Sequence, residues 1–555
     1  MTMLFMKKKY QLERFFVTWL MILFMILTDA FTAFAQVKQA TFLVNGISCD
    51  LEQGILKVEF VTPDVVRVQY TGENTFIGNG TDVCLPRAVD NPVRWVYTPN
   101  PDCYLLKSDS LIVRVDLSTA SITYLDKEGG LLLQEDQNIP RISEKRVTKQ
   151  VIYDEHSKHI EKTADGDKEI KNVLRYDTIG HTWKYRINFK WQPLEALYGW
   201  GAHMEDYMNL RGKELYLCQH NLKAMVPVLN STAGYGLLFD AGCAMMFKDN
   251  SEGSFVELEA AKQIDYYFMK GKTMDAVVAN YRLLTGNSPM MPLYLFGYIQ
   301  SKERYVSSDD LINTLKEYRQ RQIPIDMIVQ DWNYWPEGQW GNMSMNPKFY
   351  PDKRKLADEI HSLHAKLMIS IWPNAMNCPQ HEEFRRKGWL LSGTSVYDAF
   401  NPLARKLYWN YANNEFFGNG FDAWWCDASE PLDADWTFMK DGYGADNHRQ
   451  RWELNTNLLN SVLGAERSQL YSLYHAKGIY ENQRSTNEDK RVVNLTRSSY
   501  AGQQRYSTIT WNGDTYATWQ SFAQMIPAGL NFMATGCPYW TVDIGAFFTK
   551  NGPQW

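Results

Sequence analysis

No Cys-x-x-Cys pair occurs in this chain, whose eight cysteines stand apart at 49, 84, 103, 218, 243, 378, 426 and 537. That spacing excludes a zinc module and a dense disulfide scaffold, although an oxidising compartment would permit a bridge. Basic charge is not in excess either: 58 Lys and Arg stand against 63 Asp and Glu, a formal net charge of -5. No basic stripe is present, which argues against nucleic acid or an anionic membrane as partner. After the first 35 residues no long uncharged apolar run recurs, so no later segment is expected to span a bilayer. Acidic calcium loops are missing, since Asp433-Ala434-Asp435 is followed by Phe438 where such a loop needs glycine. With no histidine at ligand spacing near the carboxylates discussed below, neither a metal nor another cofactor is expected.

Aromatic surface is plentiful: 14% of residues are Phe, Trp or Tyr, including 19 Trp and 32 Tyr. Flat rings with polar tips pack cores, and they also suit the C–H faces of sugars. At the start, Lys7, Lys8 and Lys9 precede an apolar run from Phe15 to Leu27, followed by Ala33-Phe34-Ala35. This reads as an export signal with small residues at its cleavage site. A retained anchor is the alternative, against which the run is short for a bilayer. The mature protein is expected to be exported, periplasmic or extracellular.

At 555 residues more than one domain is expected. From Val37 to Leu258, short alternating runs such as Ile55–Phe60, Val65–Tyr70 and Leu111–Val115 predict an antiparallel β-sandwich. The charged stretch Ser143–Lys171 interrupts it as a solvated hairpin or loop. Leu197–His203 and Tyr207–Lys213, rich in Gly and aromatics, suit a loop packed against a second domain, with the mouth of that domain as one candidate contact. For His203 and Arg211 a structural turn is an equal reading. A helix from Met274 to Leu284, ended by Gly286 and Asn287-Ser288-Pro289, closes the domain. The resulting division is a signal at 1–35, a β-sandwich domain at 36–288 and a second domain at 289–555.

Beyond Pro292 strands and helices alternate. Leu293–Ile299, Ile325–Gln330, Leu367–Trp372 and Phe421–Trp425 read as buried strands, and Ser308–Arg319, Leu356–His364 and Trp452–Leu473 as helices. The pattern implies a parallel sheet covered on both faces, and its repeat number favours an α/β TIM (β/α)8 barrel over an open sheet. Barrel chemistry sits at the C-terminal strand ends. There the chain carries Gln300 to Arg304, Asp331-Trp332-Asn333, Trp372-Pro373-Asn374, Asp427, Arg497-Ser498, Asp514 and Asp543. Asp427 closes the apolar run Phe421–Cys426 just ahead of Glu430-Pro431 and is the first candidate for chemistry, with a helix N-cap as its structural alternative. Cys426 beside it reads as strand packing.

Cleaving a glycosidic bond takes one carboxylic acid to protonate the leaving oxygen and a second carboxylate to stabilise or attack the anomeric carbon. Asp427 and Asp514 fit that pair, because strand ends far apart in sequence can face each other across a barrel mouth. Three blocks resemble the signatures of glycoside hydrolase family 31: Gly420–Pro431, Thr496-Arg497-Ser498 with Trp511-Asn512-Gly513-Asp514, and Val542-Asp543-Ile544-Gly545. Tyr198-Gly199-Trp200-Gly201 with Asn209-Leu210-Arg211-Gly212 resembles that family's N-terminal β-sandwich. The likeness spans most of the chain after the signal, in the family's order. It implies a retaining α-glycosidase, in a family of α-glucosidases and α-xylosidases with some transglycosylases and lyases.

By the same resemblance Asp427 is the implied nucleophile and Asp514 the implied acid/base. Asp331 is implied to bind sugar hydroxyls in the non-reducing-end subsite, and Arg497 to bind ring hydroxyls or keep Asp427 ionised. Asp543 is implied as support behind the sugar-contacting groups. Trp372, Trp424 and Trp511 are candidate walls of the sugar pocket, each with core packing as an equal alternative. The ring of Trp332 would occupy the space a glucose CH2OH needs, which favours α-xyloside over α-glucoside. An oligosaccharide is the expected partner, and nothing in the sequence specifies an oligomeric state.

Members of this family continue into an eighth strand and C-terminal β-domains, with a sugar-binding His after the seventh strand. This chain stops at Gly552-Pro553-Gln554-Trp555, in what should be that loop, so the barrel is expected to be incomplete. Residues 36–555 alone are then expected to fold poorly or to lack turnover, since an open sheet edge exposes core. A catalytically dead sugar-binding protein is the reading from a different class; the joint presence of Asp427, Asp514 and Arg497 speaks against it.

Overall fold

The computed structural model describes residues 36–77, 82–86, 92–163, 166–432, 434 and 448–549. The export signal at 1–35, the Asp433 and Asp435 run with Phe438, and Gly552–Trp555 lie outside the described residues.

The N-terminal part consists of antiparallel sheets of eight and ten strands that share one apolar core. The alternation expected of Leu111–Asp116 holds, with every second side chain buried. It fails on Val65–Thr71, which is buried along its whole length. Its polar positions are covered as an ion network: Arg67 Nε donates to Asp265 Oδ1 at 2.9 Å, and Gln69 Nε2 to Asp265 Oδ2 at 2.9 Å. Burial of such groups is tolerable because they are paired. The charged stretch is a hairpin, in which Arg141–Tyr153 pairs along its length with Val173–Lys190 and a smaller hairpin joins His159–Thr163 to Gly166–Ile170.

The helix Met274–Thr285 is capped by Thr273, whose side chain accepts from the Ala276 N–H, and ends at Gly286 with φ 94°. Its Val277, Tyr281 and Leu284 join the sandwich core. Two readings of the following region need correction. Leu293–Ile299 is not a buried strand: Leu293–Phe296 is a 3-10 turn with Leu293 86% exposed, and the strand is only Ile299–Gln300. That strand pairs with one neighbour, so little backbone is held extended. Trp452–Leu473 is not one helix but His448–Leu463 and Tyr471–Thr486, parted at Gly464 with φ 85°.

The second domain is a partial, curled parallel sheet in sequential strand order: Ile299–Gln300, Met327–Gln330, Lys366–Ile371, Ala423–Cys426, Asn494–Thr496, Thr508–Trp511 and Trp540–Thr541. Each strand supplies two sets of side chains. Met327, Val329, Met368, Ala423, Trp425, Leu495, Ile509 and Trp511 form the inner core. Ile328, Leu367, Ile369 and Trp424 pack outward against the helices. Those helices start as their caps dictate, Ser307 accepting from Asp310 N at 3.1 Å and Asp352 from Lys355 N at 2.9 Å. Among the described residues no helix is long and apolar enough to cross a membrane.

Candidate active site

Strand parity builds the site. Side chains two residues apart share a face, and three inner-facing series end on an ionisable group: Met327, Val329, Asp331; Ala423, Trp425, Asp427; and Val493, Leu495, Arg497. Register sets them at a common height, since Ile371 pairs with Cys426 and Cys426 with Thr496, one residue before Asp427 and Arg497. Thr496 is level with Thr510, and the chain then turns through Gly513 to present Asp514.

Arg497 is the hub. Its Nη1 lies 3.2 Å from Asp427 Oδ1 and 3.2 Å from Asp514 Oδ2, and its Nε donates to Glu430 Oε1 at 2.7 Å. The two aspartate oxygens are thus no more than about 6.4 Å apart, twice 3.2 Å, with one guanidinium nitrogen between them. Among the described residues no three His, Cys, Asp or Glu side chains are grouped as metal ligands. Asp427 is fixed further by its Oδ1 accepting from Ala428 N at 2.7 Å. Ala428 and Asn333, just past two strand ends, adopt left-handed φ of 48° and 59°, a strained backbone of the kind held at functional sites.

Two more acids feel this cluster. Burial, and then the negative charge of Asp427, raise Asp331 well above the ordinary carboxylate range, although Trp332 N donates to it at 2.7 Å. Asp543 is half-buried, yet desolvation, Asp514 and Asp427 push it up to about 8. Both carboxyls therefore hold a proton to higher pH than an ordinary aspartate does.

The structure brings Asp427, Asp514, Arg497, Asp331 and Asp543 together and separates the tryptophans. Trp332 follows Asp331, half-buried, with Arg304 5.5 Å over its ring and Trp340 at 5.6 Å. Trp372 stands beside Trp340 at 5.1 Å, its Nε1 donating to Ser370 Oγ. Trp511 lies in the inner core, 4.9 Å from Trp425. Trp424 is a correction: it is fully buried on the outer face, donating to Gln483 Oε1 at 2.7 Å, and is no wall of the mouth. Parity explains this, because Asp427 faces inward and Trp424 is an odd number of residues away, whereas Trp425 faces inward.

Three participants escaped the sequence reading. Trp425 was recoverable from parity. Glu430 was visible beside Pro431 but not as the partner of Arg497. Asn221, from the sandwich, donates its Nδ2 to Asp514 Oδ2 at 2.7 Å and had no local signal. The Leu197–Ala202 segment packs elsewhere than the mouth: Gly199 N donates to Asn531 on the outer helix Trp519–Ala534. Arg211 pairs with Asp249 at 2.8 Å.

Residues 288–555 match the glycosyl hydrolases family 31 TIM-barrel domain, and residues 55–247 the glycosyl hydrolase 31 N-terminal galactose mutarotase-like domain. An α-xylosidase of Saccharolobus solfataricus is 32% identical over 506 residues, 89% of this chain and 63% of that relative's length. An uncharacterized family 31 glucosidase of Pseudescherichia vulneris is 31% identical over 66% of this chain and 69% of its own length. A solved α-xylosidase from a soil metagenome, complexed with xylose, shares the fold with a TM-score of 0.74 at 24% identity, covering 92% of this chain and 72% of that one. With two domain matches in order and relatives above 30% identity, the chain belongs to glycosyl hydrolase family 31.

Proposed function

We propose that the protein is an exported, retaining α-glycosidase that removes a non-reducing-end sugar from an oligosaccharide, with α-xylose preferred. The observation that supports it most directly is one arginine nitrogen within 3.2 Å of both Asp427 and Asp514, which holds beside each other the two carboxylates that such a reaction needs. In the first step an Asp427 oxygen forms a bond to the anomeric carbon as the bond to the leaving oxygen breaks, and Asp514 gives that oxygen its proton. In the second, Asp514 takes a proton from water, the water oxygen bonds to the anomeric carbon, and the Asp427 ester bond breaks. Arg497 stabilises the Asp427 carboxylate before it attacks and again as the ester releases it, and stays anchored on Glu430 throughout.

The xylose preference rests on Trp332, whose ring is held beside Asp331 by Arg304 and Trp340. A xyloside lacks the CH2OH that would meet this ring. The α-xylosidase relative supports the same reading, while the glucosidase relative supports an α-glucosidase or α-transglycosylase of the same family as the second one. Hydrolysis of nitrophenyl α-xyloside, α-glucoside and α-galactoside by the native protein decides between them. Faster α-glucoside turnover overturns the xylose preference, and sugar binding without turnover of any of the three favours a binding protein.

A further inference from the structure

Asn221 belongs to the sandwich, yet much of its surroundings serve to press it against Asp514. The chain bears it on a short segment between Leu217 and Ala224, the neighbouring strand ends. Gln219 anchors that segment to the barrel: its Nε2 donates to Ser499 O at 2.7 Å, and its Oε1 accepts from Ser498 Oγ at 2.7 Å, immediately after Arg497. Arg451 Nη2 donates to Asn221 O at 3.2 Å. On the far side Lys223 is held by Glu205 and by Tyr216 O. Two backbone features make room for the contact. Leu222 takes a left-handed φ of 73°. Gly513 has φ 79°, and a Cβ there would lie 2.2 Å from Asn221 Oδ1.

The orientation of the Asn221 amide is fixed by chemistry. Asp514 N, which can only donate, lies 3.0 Å from Asn221 Oδ1, so Nδ2 is the end that donates to Asp514 Oδ2 at 2.7 Å. Arg497 Nη1 addresses the same Oδ2 at 3.2 Å. An oxygen that accepts from two donors is a poor place for a proton, which leaves Oδ1 to carry it.

We propose that Asn221 is a positioning residue of the acid/base: it fixes the rotamer of Asp514 and directs its proton to Oδ1, so that the sandwich domain completes the proton-donating half of the site. This rests on the assignment of Asp514 under Proposed function. A residue acting only through the acid affects reactions in proportion to their need for a proton. An alkyl glycoside leaves only when protonated, whereas a glycosyl fluoride leaves unaided.

The test uses the native protein with the fluoride and the alkyl glycoside of whichever sugar the nitrophenyl screen selects. Asn221→Ala is expected to lower kcat/KM on the alkyl glycoside by about 10–100-fold and on the fluoride by less than about threefold. Asn221→Asp keeps the shape and the acceptor for Asp514 N but sets a carboxylate against Oδ2. It is expected to show the same split with a larger loss, and a lower thermal midpoint because a further buried carboxylate joins the crowded acids. Equal losses on the two substrates, or no loss on either, overturn the role of Asn221 alone. An unaltered protein that turns over neither substrate overturns the glycosidase reading, and the role of Asn221 with it.

Discussion

The Arg141–Glu135 grouping of the sandwich core and the Arg497 cluster of the barrel mouth are both buried, and they are built to different ratios of charge. In the sandwich core Glu135 is fully buried, accepting from Tyr266 Oη at 3.0 Å, from Ile122 N at 2.9 Å and from Arg141, whose Nη1 also donates to Ala120 O. One acid meets one arginine, and neutral donors complete the shell. At the barrel mouth Arg497 serves Glu430, Asp427 and Asp514, with Asp331 and Asp543 close enough to be perturbed. In the sandwich only burial raises the acid and the arginine opposes it, whereas at the mouth neighbouring carboxylates add to the raising of Asp331 and Asp543.

The contrast breaks most visibly at Asp427. Asp427→Ala is expected to lower kcat on a nitrophenyl glycoside by at least about 10⁴-fold, while the thermal midpoint holds or rises because one crowded charge is gone. A fall in the midpoint as well would place Asp427 among the structural acids. Arg497→Met comes next, expected to cost about 10²–10³ in turnover and about 3–5 kcal/mol in stability, since Glu430 stays buried without its cation. Arg141→Met tests the other cluster. Urea unfolding should show a loss of about 3–5 kcal/mol, and turnover below the transition should be unchanged. Lost turnover at intact fold would mean that the sandwich ion pair is not merely structural.

How far the site could be read from sequence follows from where its information is local. Asp331, Asp427 and Arg497 end apolar runs, so strand ends and the period of two expose them directly. The same period, applied strictly, separates Trp425 from Trp424, which composition alone does not. The sandwich was legible from alternation and turn spacing, but the full burial of Val65–Thr71 depended on Asp265, nearly two hundred residues away. Asn221 depended on how two domains dock, and no spacing encodes that. Leu293–Ile299 looked like a strand because its side chains are apolar, while its backbone has too little sheet beside it to stay extended.

Specificity is a finer test of the mouth. Trp332→Ala should raise the ratio of α-glucoside to α-xyloside turnover by about tenfold, since the site gains room for one CH2OH and pockets discriminate such groups only modestly. An unchanged ratio in steady-state kinetics would remove Trp332 as the specificity wall and leave the carboxylate cluster untouched.

The smallest effect is expected at Asp543, and its sign separates the two clusters. Its carboxyl group, facing Asp514 and Asp427, is raised from an ordinary 3.8 to about 8, so the folded chain holds a proton that the unfolded chain has released. The stability this contributes is complete below the ordinary carboxylate range and is lost as pH climbs through about 8. Asp331, raised in the same direction, adds to the loss. The contribution of Asp543 to the thermal midpoint should therefore decline from about pH 4 to about pH 8 and level off above it, and Asp543→Asn, which cannot ionise, should flatten part of that decline. Burial raises Glu135 as well, against the lowering by Arg141, so Glu135→Gln measures the sandwich's share of the slope, expected to be smaller than that removed by Asp543→Asn. A slope abolished by Glu135→Gln and untouched by Asp543→Asn would move the excess of acid from the barrel mouth to the sandwich core.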